Sequence, residues 1–219
     1  MKHESEKIYY HRHLPHYQPL HASYFITFRL SGSLPVQIIK QYKLERMMRE
    51  KMIKDDMNNN VKNKIIEIRK KYFQKFDQLL DRCEIGPDWM RDPEIADIVR
   101  EALHFRDGSQ YNLHAYTIMP NHVHLVFDTN STCDDSMKGI SQYPVSAILE
   151  NLKWYTALKA NQQLNRRGTF WQQESYDHVI RNQEEFNRIV RYVINNPVKA
   201  GLVAKWEDYP YIYCKYDEN

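Results

Sequence analysis

LHAYTIMPNHVHLVF, residues 113–127, contains two runs that are typical of β-strands, residues 113–118 and 122–127. Met119-Pro120-Asn121 separates them, and this order predicts a hairpin. Residues two apart on a strand face the same way, so His122 and His124 present both imidazoles to one side of the sheet. The second strand therefore carries the first candidate site.

Two imidazoles on one side of a strand suit a divalent metal ion, because neutral imidazole is a common ligand for such ions. Two ligands leave a metal site incomplete, so a third nitrogen or oxygen donor is needed. The other interpretation is a pair of half-exposed sheet histidines, and a short motif of this kind does not by itself decide between them.

The rest of the chain alternates strand-like and helix-like segments. We predict a strand at 24–30, a basic helical hairpin at 36–82, helices at 92–105, 144–164 and 184–196, a loop at 129–142 and a strand at 176–180. The order β, α, β, β, α, β, α predicts an α+β fold, a ferredoxin-like split βαβ sandwich with helices on one face of an antiparallel sheet. A C-terminal helix is added to it. We expect one domain over residues 1–219, with a helical insertion at about 36–90 that projects from it.

Composition restricts the class of protein further. The net charge is +3, but the segment from Val36 to Arg82 has thirteen Lys or Arg and seven Asp or Glu, a net +6. This segment is either a DNA-binding arm or an amphipathic hairpin that shields the sheet. Cys83, Cys133 and Cys214 form no CxxC pair, and no run of membrane-spanning length or signal peptide is present. We expect a soluble protein of the bacterial cytoplasm, associated with the nucleoid.

Tyr192 and Asn196 offer the groups that the two histidines lack. They are four residues apart on the predicted final helix and therefore share a face. The asparagine amide oxygen could complete a metal site, and a phenol beside a divalent cation is a candidate nucleophile. The alternative is a core tyrosine and a helix-terminating asparagine before Pro197.

Several of these motifs together resemble one family. The chain resembles the REP-associated tyrosine transposases in three stretches. They are YFITFRLSGSLP near the start, then TIMPNHVHLVF, and last FWQQESYDHVIRNQEEFNRIVRYVINNPVKAGLV. This family consists of single-tyrosine enzymes of the HUH type, in the IS200-like superfamily. The resemblance covers most of the chain, and the basic segment before Asp92 looks like an insertion.

The resemblance implies a metal-dependent single-strand DNA endonuclease and strand transferase. Tyr192 takes the place of the nucleophile, and His122, His124 and Asn196 take the place of the ligands of Mg²⁺ or Mn²⁺. The implied products are a 5′-phosphotyrosine link and a free 3′-hydroxyl, formed without a nucleotide cofactor on hairpins of palindromic repeats. The implied partner is single-stranded or hairpin DNA, and we expect a monomer, with a dimer as the alternative.

Two further predictions concern the nucleophile and the DNA. Tyr155 is the competing nucleophile, but Lys159 four residues later is a poor metal ligand, so Tyr192 is preferred. Basic and aromatic residues around the motifs are candidates for phosphate contacts and base stacking. They are Lys153, Trp154, Arg166, Arg167, Phe170, Trp171, Arg181, Arg188, Arg191 and Lys199.

Two alternative functions remain. A catalytically silent protein of the same fold could bind DNA hairpins without cutting them. A metal-dependent hydrolase or a cupin-like enzyme could also use His122 and His124, although a cupin should be all-β and rich in turn glycine.

Overall fold

The structure is a computed structural model that describes residues 9–11, 15–17, 19, 21–55, 61–129 and 144–216. The predicted loop at 129–142 lies outside the described residues except for Thr129, and so does Cys133. No helix of the described segments is long and apolar enough to cross a membrane.

The described residues form seven strands and six α-helices. The strands are β1 (Tyr9–His11), β2 (Pro15–Tyr17), β3 (Ser23–Arg29), β4 (Asn112–Ile118), β5 (His122–Asp128), β6 (Tyr176–Ile180) and β7 (Ile212–Cys214). The helices are α1 (Val36–Asp55), α2 (Val61–Arg82), α3 (Pro93–Arg106), α4 (Pro144–Gln163), α5 (Gln183–Ile194) and α6 (Asn196–Lys199). Short 3-10 turns cover Trp89–Arg91 and Trp206–Asp208.

The main sheet has five strands in the order β6-β3-β5-β4-β7, and every pairing is antiparallel. Omitting the edge strand β7, the strands run fourth, first, third, second in chain order, which is the ferredoxin-like arrangement. The predicted fold class is therefore confirmed. β5 lies in the middle of the sheet, and Thr27 of β3 is opposite His124 in the register.

The two faces of the sheet bury different helices. One face packs Val123, Leu125 and Phe127 of β5 against α3 and α4 in the larger apolar core. The other face packs Val126 of β5 and Phe25 of β3 against Val190 and Val193 of α5. Since His122 and His124 alternate with the first set, they point toward α5.

The helical hairpin was correctly predicted, but its second helix does not project away from the sheet. Tyr72 and Leu80 of α2 are buried. The ring of Phe73 stacks on Tyr176 of β6 with ring centroids 3.8 Å apart. The amide Nδ2 of Asn121, in the β4–β5 turn, donates to the Leu80 carbonyl at 3.0 Å. α2 therefore lies on the same face of the sheet as α5.

Glycine fixes the point where the hairpin returns to the sheet. Gly86 has φ +85, and a Cβ at this position would collide with the carbonyl oxygen of Gly32, in the turn after β3. Only glycine allows both the left-handed conformation and this close approach. The C-terminal end of α2 is thus held against the end of β3.

Candidate metal and nucleophile site

His122 and His124 lie at the centre of the sheet, and neither side chain is accessible to solvent. Their Nε2 atoms are 3.1 Å apart. Burial, reinforced by the neighbouring His124, lowers the pKa of His122 well below its ordinary value. A buried histidine with a low pKa is neutral at physiological pH, which is the form that binds metal ions.

Hydrogen bonds to the other ring nitrogens orient both imidazoles. The Asn121 amide nitrogen donates to the Leu80 carbonyl, so Asn121 Oδ1 faces His122 Nδ1 at 2.6 Å and accepts a hydrogen bond from it. This bond leaves the His122 Nε2 lone pair pointing into the site. His124 Nδ1 is 2.8 Å from the hydroxyl of Thr27. Metal-binding histidines commonly have such a partner on the second nitrogen.

Tyr192 reaches His124 from the last turn of α5, and Asn196 at the start of α6 contacts Asp81. The ring centroids of Tyr192 and His124 are 5.5 Å apart. The predicted helix ends earlier than expected, at Ile194, and Asn196 opens the short helix α6 because Pro197 follows it. Asn196 is fully buried and its Oδ1 has no hydrogen-bond partner. This oxygen is therefore free to bind a cation.

Sequence reasoning missed two residues at this site, Asp77 and Asp81 of α2. One ligand atom from each of Asp77, Asp81, His122 and His124 lies within 4.8 Å of the others. Asp77 Oδ1 is 3.3 Å from His124 Nε2, and Asp81 Oδ1 is 3.8 Å from His122 Nε2. Asp77 and Asp81 are four residues apart on a helix and share a face with Phe73 and Leu80, which pack inward. This pattern is the signal that could have identified the two aspartates.

Lys199 neutralises part of the negative charge of these carboxylates. Its Nζ is 2.6 Å from Asp81 Oδ2 and 3.5 Å from Asp77 Oδ2. Burial, and next the charge of Asp77, raise the pKa of Asp81. Burial opposes the charged form of Lys199, but the bond to Asp81 and both carboxylate charges raise the pKa of Lys199 overall.

The donor set fits a divalent metal ion. Two imidazole nitrogens, an amide oxygen and carboxylate oxygens are the mixture that Mn²⁺ accepts, and Mg²⁺ favours the oxygen atoms among them. Ligand atoms on opposite sides of one octahedral Mg²⁺ are separated by about 4.2 Å, twice its bond length. The ligand atoms of the two aspartates and two histidines lie within 4.8 Å of one another, so they would need to move only slightly closer together to bind one ion.

The comparison with protein families matches residues 90–196 to the family described as "Transposase IS200 like". This region, just under half of the chain, matches the IS200-like transposase domain. The matched region contains both histidines, Tyr192 and Asn196, whereas Asp77 and Asp81 lie before it. The resemblance inferred from the sequence is confirmed.

Relatives of the transposase domain include two curated proteins and one solved structure. A Haemophilus influenzae protein named among the REP-associated tyrosine transposases is 28% identical over 97 residues, 44% of this chain and 55% of that protein. The REP-associated tyrosine transposase of Escherichia coli K12 is 24% identical over 101 residues, 46% of this chain and 53% of that protein. The matches thus span about half of each relative.

A solved structure of a REP-associated tyrosine transposase bound to a REP hairpin aligns with a TM-score of 0.50 and 17% identity. The alignment covers 93% of this chain and 80% of that one. At this level of identity the match supports the fold alone. It agrees with the ferredoxin-like sheet, and it disagrees with an all-β cupin.

The transposase domain places the competing tyrosine on the opposite face of the sheet. Tyr155 lies on α4, which packs with α3 against the side of the sheet that faces away from the histidines. Its ring lies 5.7 Å from the guanidinium of Arg106. Of the two tyrosines, only Tyr192 lies beside His124.

The predicted DNA-contact residues divide into three groups. Arg181, Arg188 and Arg191 are exposed along or just before α5, and Arg181 and Arg191 line an open cavity of about 750 Å³. The second group belongs to α4 or the turn after it. Trp154 and Arg167 are exposed, whereas Lys153 and Arg166 are half-buried. Lys199 is the third case, because it pairs with the carboxylates of the site.

Trp171 and Phe170 do not suit base stacking. Both belong to the apolar core. The Trp171 ring packs edge-on against Phe28 at 4.8 Å, and its indole nitrogen donates to Thr156 Oγ1 at 2.8 Å. Both rings are already enclosed, which argues against the prediction that they stack on unpaired bases. Lys153 similarly donates to the carbonyls of Gln172 and Gln173.

Proposed function

We propose that the chain is a metal-dependent single-strand DNA endonuclease and strand transferase that acts on hairpins of palindromic repeats. The observation that carries this proposal is the position of Tyr192, a potential nucleophile, beside a pair of fully buried histidines whose Nε2 atoms are 3.1 Å apart. The relatives named for REP-associated transposition, and the likeness to a structure bound to a REP hairpin, support the DNA substrate.

His122, His124 and Asn196 would hold the metal ion. A bound Mg²⁺ or Mn²⁺ would supply positive charge that polarises the scissile phosphate and offsets the charge that builds up on its oxygens. Burial keeps His122 neutral by lowering its pKa, and the Nδ1 hydrogen bonds keep both imidazoles oriented.

Tyr192 supplies the nucleophile. Its hydroxyl donates a hydrogen bond to Asp77 Oδ2, so the carboxylate accepts the proton as the phenol oxygen attacks phosphorus. The new bond joins this oxygen to the 5′-phosphate, and the bond to the 3′-oxygen breaks. The leaving oxygen takes up a proton and becomes a free 3′-hydroxyl. A 3′-hydroxyl that later attacks the phosphotyrosine restores the tyrosine and completes strand transfer.

The adduct assay tests this function. Protein is mixed with labelled single-stranded DNA that carries palindromic repeats from the flanks of its own gene, with Mn²⁺, and separated in SDS. We expect a covalent adduct with wild type and Tyr155→Phe and none with Tyr192→Phe or His122→Ala. Tight hairpin binding without an adduct in any metal would instead support a silent binding protein.

A further inference from the structure

The two carboxylates of α2 belong to a segment that the IS200-like family match does not include. Asp77 and Asp81 are 1% and 8% exposed. They come from the helical hairpin, 41 residues or more before His122 in the chain. Folding nevertheless brings one oxygen of each within 4.8 Å of a nitrogen of each histidine.

The charges at this cluster are not balanced. Two buried carboxylates face two buried histidines. In the segments that the structure describes, Lys199 is the one Lys or Arg that pairs with them, through contacts of 2.6 and 3.5 Å. Burying a carboxylate without a compensating positive charge is costly. A divalent cation would supply the missing charge.

Unused ligand atoms point to the same place. Asp77 Oδ1 and Asn196 Oδ1 are both buried without a hydrogen-bond partner. Although Asp77 Oδ1 is 3.3 Å from His124 Nε2, the pair does not have hydrogen-bond geometry. Asp77 Oδ1 thus faces the histidine pair, and the second bare oxygen, Asn196 Oδ1, belongs to a side chain that contacts Asp81 of the same cluster.

We propose that Asp77 and Asp81 are ligands of the metal ion, so that the helical hairpin is part of the active centre. The ion is then held by two histidine nitrogens, the Asn196 amide oxygen and one oxygen from each carboxylate. The inference deepens the proposed function, because it concerns the same metal site. With three oxygen donors the site suits Mn²⁺ or Mg²⁺ better than a metal that prefers sulfur.

Asp77 would join the metal to the nucleophile. Its Oδ1 faces the histidines, and its Oδ2 accepts the hydrogen bond of Tyr192. One carboxylate therefore fixes the distance between the ion and the attacking oxygen. Asp81 has a parallel arrangement: its Oδ1 accepts from Asn196 Nδ2 at 3.2 Å, and its Oδ2 binds Lys199.

Calorimetric titration with Mn²⁺, without DNA, tests the proposal apart from catalysis. Asp77→Asn and Asp81→Asn are compared with wild type, with His122→Ala and with Glu67→Gln. Glu67 is exposed on the same helix, so Glu67→Gln makes the same change of charge away from the site. We expect each aspartate variant to bind Mn²⁺ at least about tenfold more weakly, and Glu67→Gln to bind like wild type.

Three results would overturn the proposal. If both aspartate variants bind Mn²⁺ like wild type while His122→Ala does not, the carboxylates are not ligands, and the proposed function stands. If they bind Mn²⁺ more tightly and form more adduct, α2 blocks the site instead. If wild type binds no Mn²⁺, the five-ligand site is refuted, and the adduct assay reports separately on the function.

Crystals of wild-type protein soaked in Mn²⁺ give a readout that needs no variant, which matters if Asp77→Asn fails to fold. We expect an anomalous peak within about 2.4 Å of an oxygen of Asp77 and of Asp81. A peak on the histidines that lies about 4 Å or more from both carboxylates would contradict the assignment.

Discussion

The hydroxyl of Tyr192 donates a hydrogen bond to Asp77 Oδ2, across 115 residues of sequence. The bond connects α5 of the transposase domain to α2 of the helical hairpin. Because the other oxygen of Asp77 faces His124, the hairpin contacts the proposed nucleophile and the proposed metal ligands through one side chain. The hairpin is therefore a structural part of the site, and changes in it should affect metal binding.

Asn121 should control metal affinity without touching the metal. Its side chain accepts from His122 Nδ1 and donates to Leu80, which fixes the imidazole and the end of α2 together. We expect Asn121→Ala to weaken Mn²⁺ binding about 10–100-fold, as measured by calorimetry. Asn187→Ala, at an exposed position, is the control. Unchanged Mn²⁺ affinity in Asn121→Ala would show that the ring needs no such partner.

The metal-free protein should lose stability as the pH falls below about 6.5. His122 takes up a proton near this pH when unfolded, but burial lowers its pKa in the folded chain. The unfolded state then binds more protons, so the free energy of unfolding falls by at most about 1.4 kcal/mol per pH unit. The raised pKa of Asp81 acts in the opposite direction, since folding favours its protonated form.

The comparison of wild type with His122→Asn isolates this contribution, because Asp81 is present in both. Urea unfolding in EDTA at several values between about pH 7 and pH 5.5 gives the slope. We expect a steeper loss of stability in wild type than in His122→Asn. Parallel curves would mean that His122 titrates alike in both states.

Gly86→Ala should destabilise the protein more than Gly108→Ala. Both glycines have positive φ, +85 and +74, so both substitutions carry the strain of the left-handed conformation. Only at Gly86 does the added Cβ meet backbone, whereas nothing lies within 4 Å at Gly108. We expect an extra loss of about 2 kcal/mol in urea unfolding for Gly86→Ala. Equal losses would argue against the close approach to Gly32.

Arg188 should contribute to hairpin binding because it is exposed one helical turn from Tyr192 on α5. A lost phosphate contact reduces the slope of log K against log salt by about 1. We expect this change in Arg188→Gln, measured by fluorescence anisotropy on a labelled hairpin at several salt concentrations. Arg167→Gln, near α4, should keep the wild-type slope. The reverse result would place the DNA on the α4 face.

Local signals predicted most of the elements. Asp92 and Pro93 predict the start of α3, and the Asp92 side chain accepts a hydrogen bond from the Glu94 amide at 3.0 Å. Tyr176–Ile180 was predicted with its observed limits, because a short run that ends in two β-branched residues is a local signal. β7 was missed, since three residues at a sheet edge carry too little pattern. Its pairing with β4 depends on the completed sheet.

The site was predictable only where its residues are close in sequence. His122 and His124 share a strand, and Tyr192 and Asn196 are one turn apart. Asp77 and Asp81 reach the other site residues only through contacts between segments that are distant in sequence. Hydrophobic periodicity predicts which face of α2 is buried, but it does not predict which segment packs against that face. Trp171 shows the same limit, because the sequence does not reveal that Phe28 and Thr156 enclose it.

Peptide mapping of the covalent adduct tests the central claim most directly. Trypsin cleaves after Arg191 and Lys199, so Tyr192 lies in the peptide YVINNPVK, which contains one tyrosine, whereas Tyr155 lies in WYTALK. Mass spectrometry of the digested adduct should find the nucleotide on YVINNPVK. A nucleotide on WYTALK would contradict the proposed nucleophile and the metal site built around it.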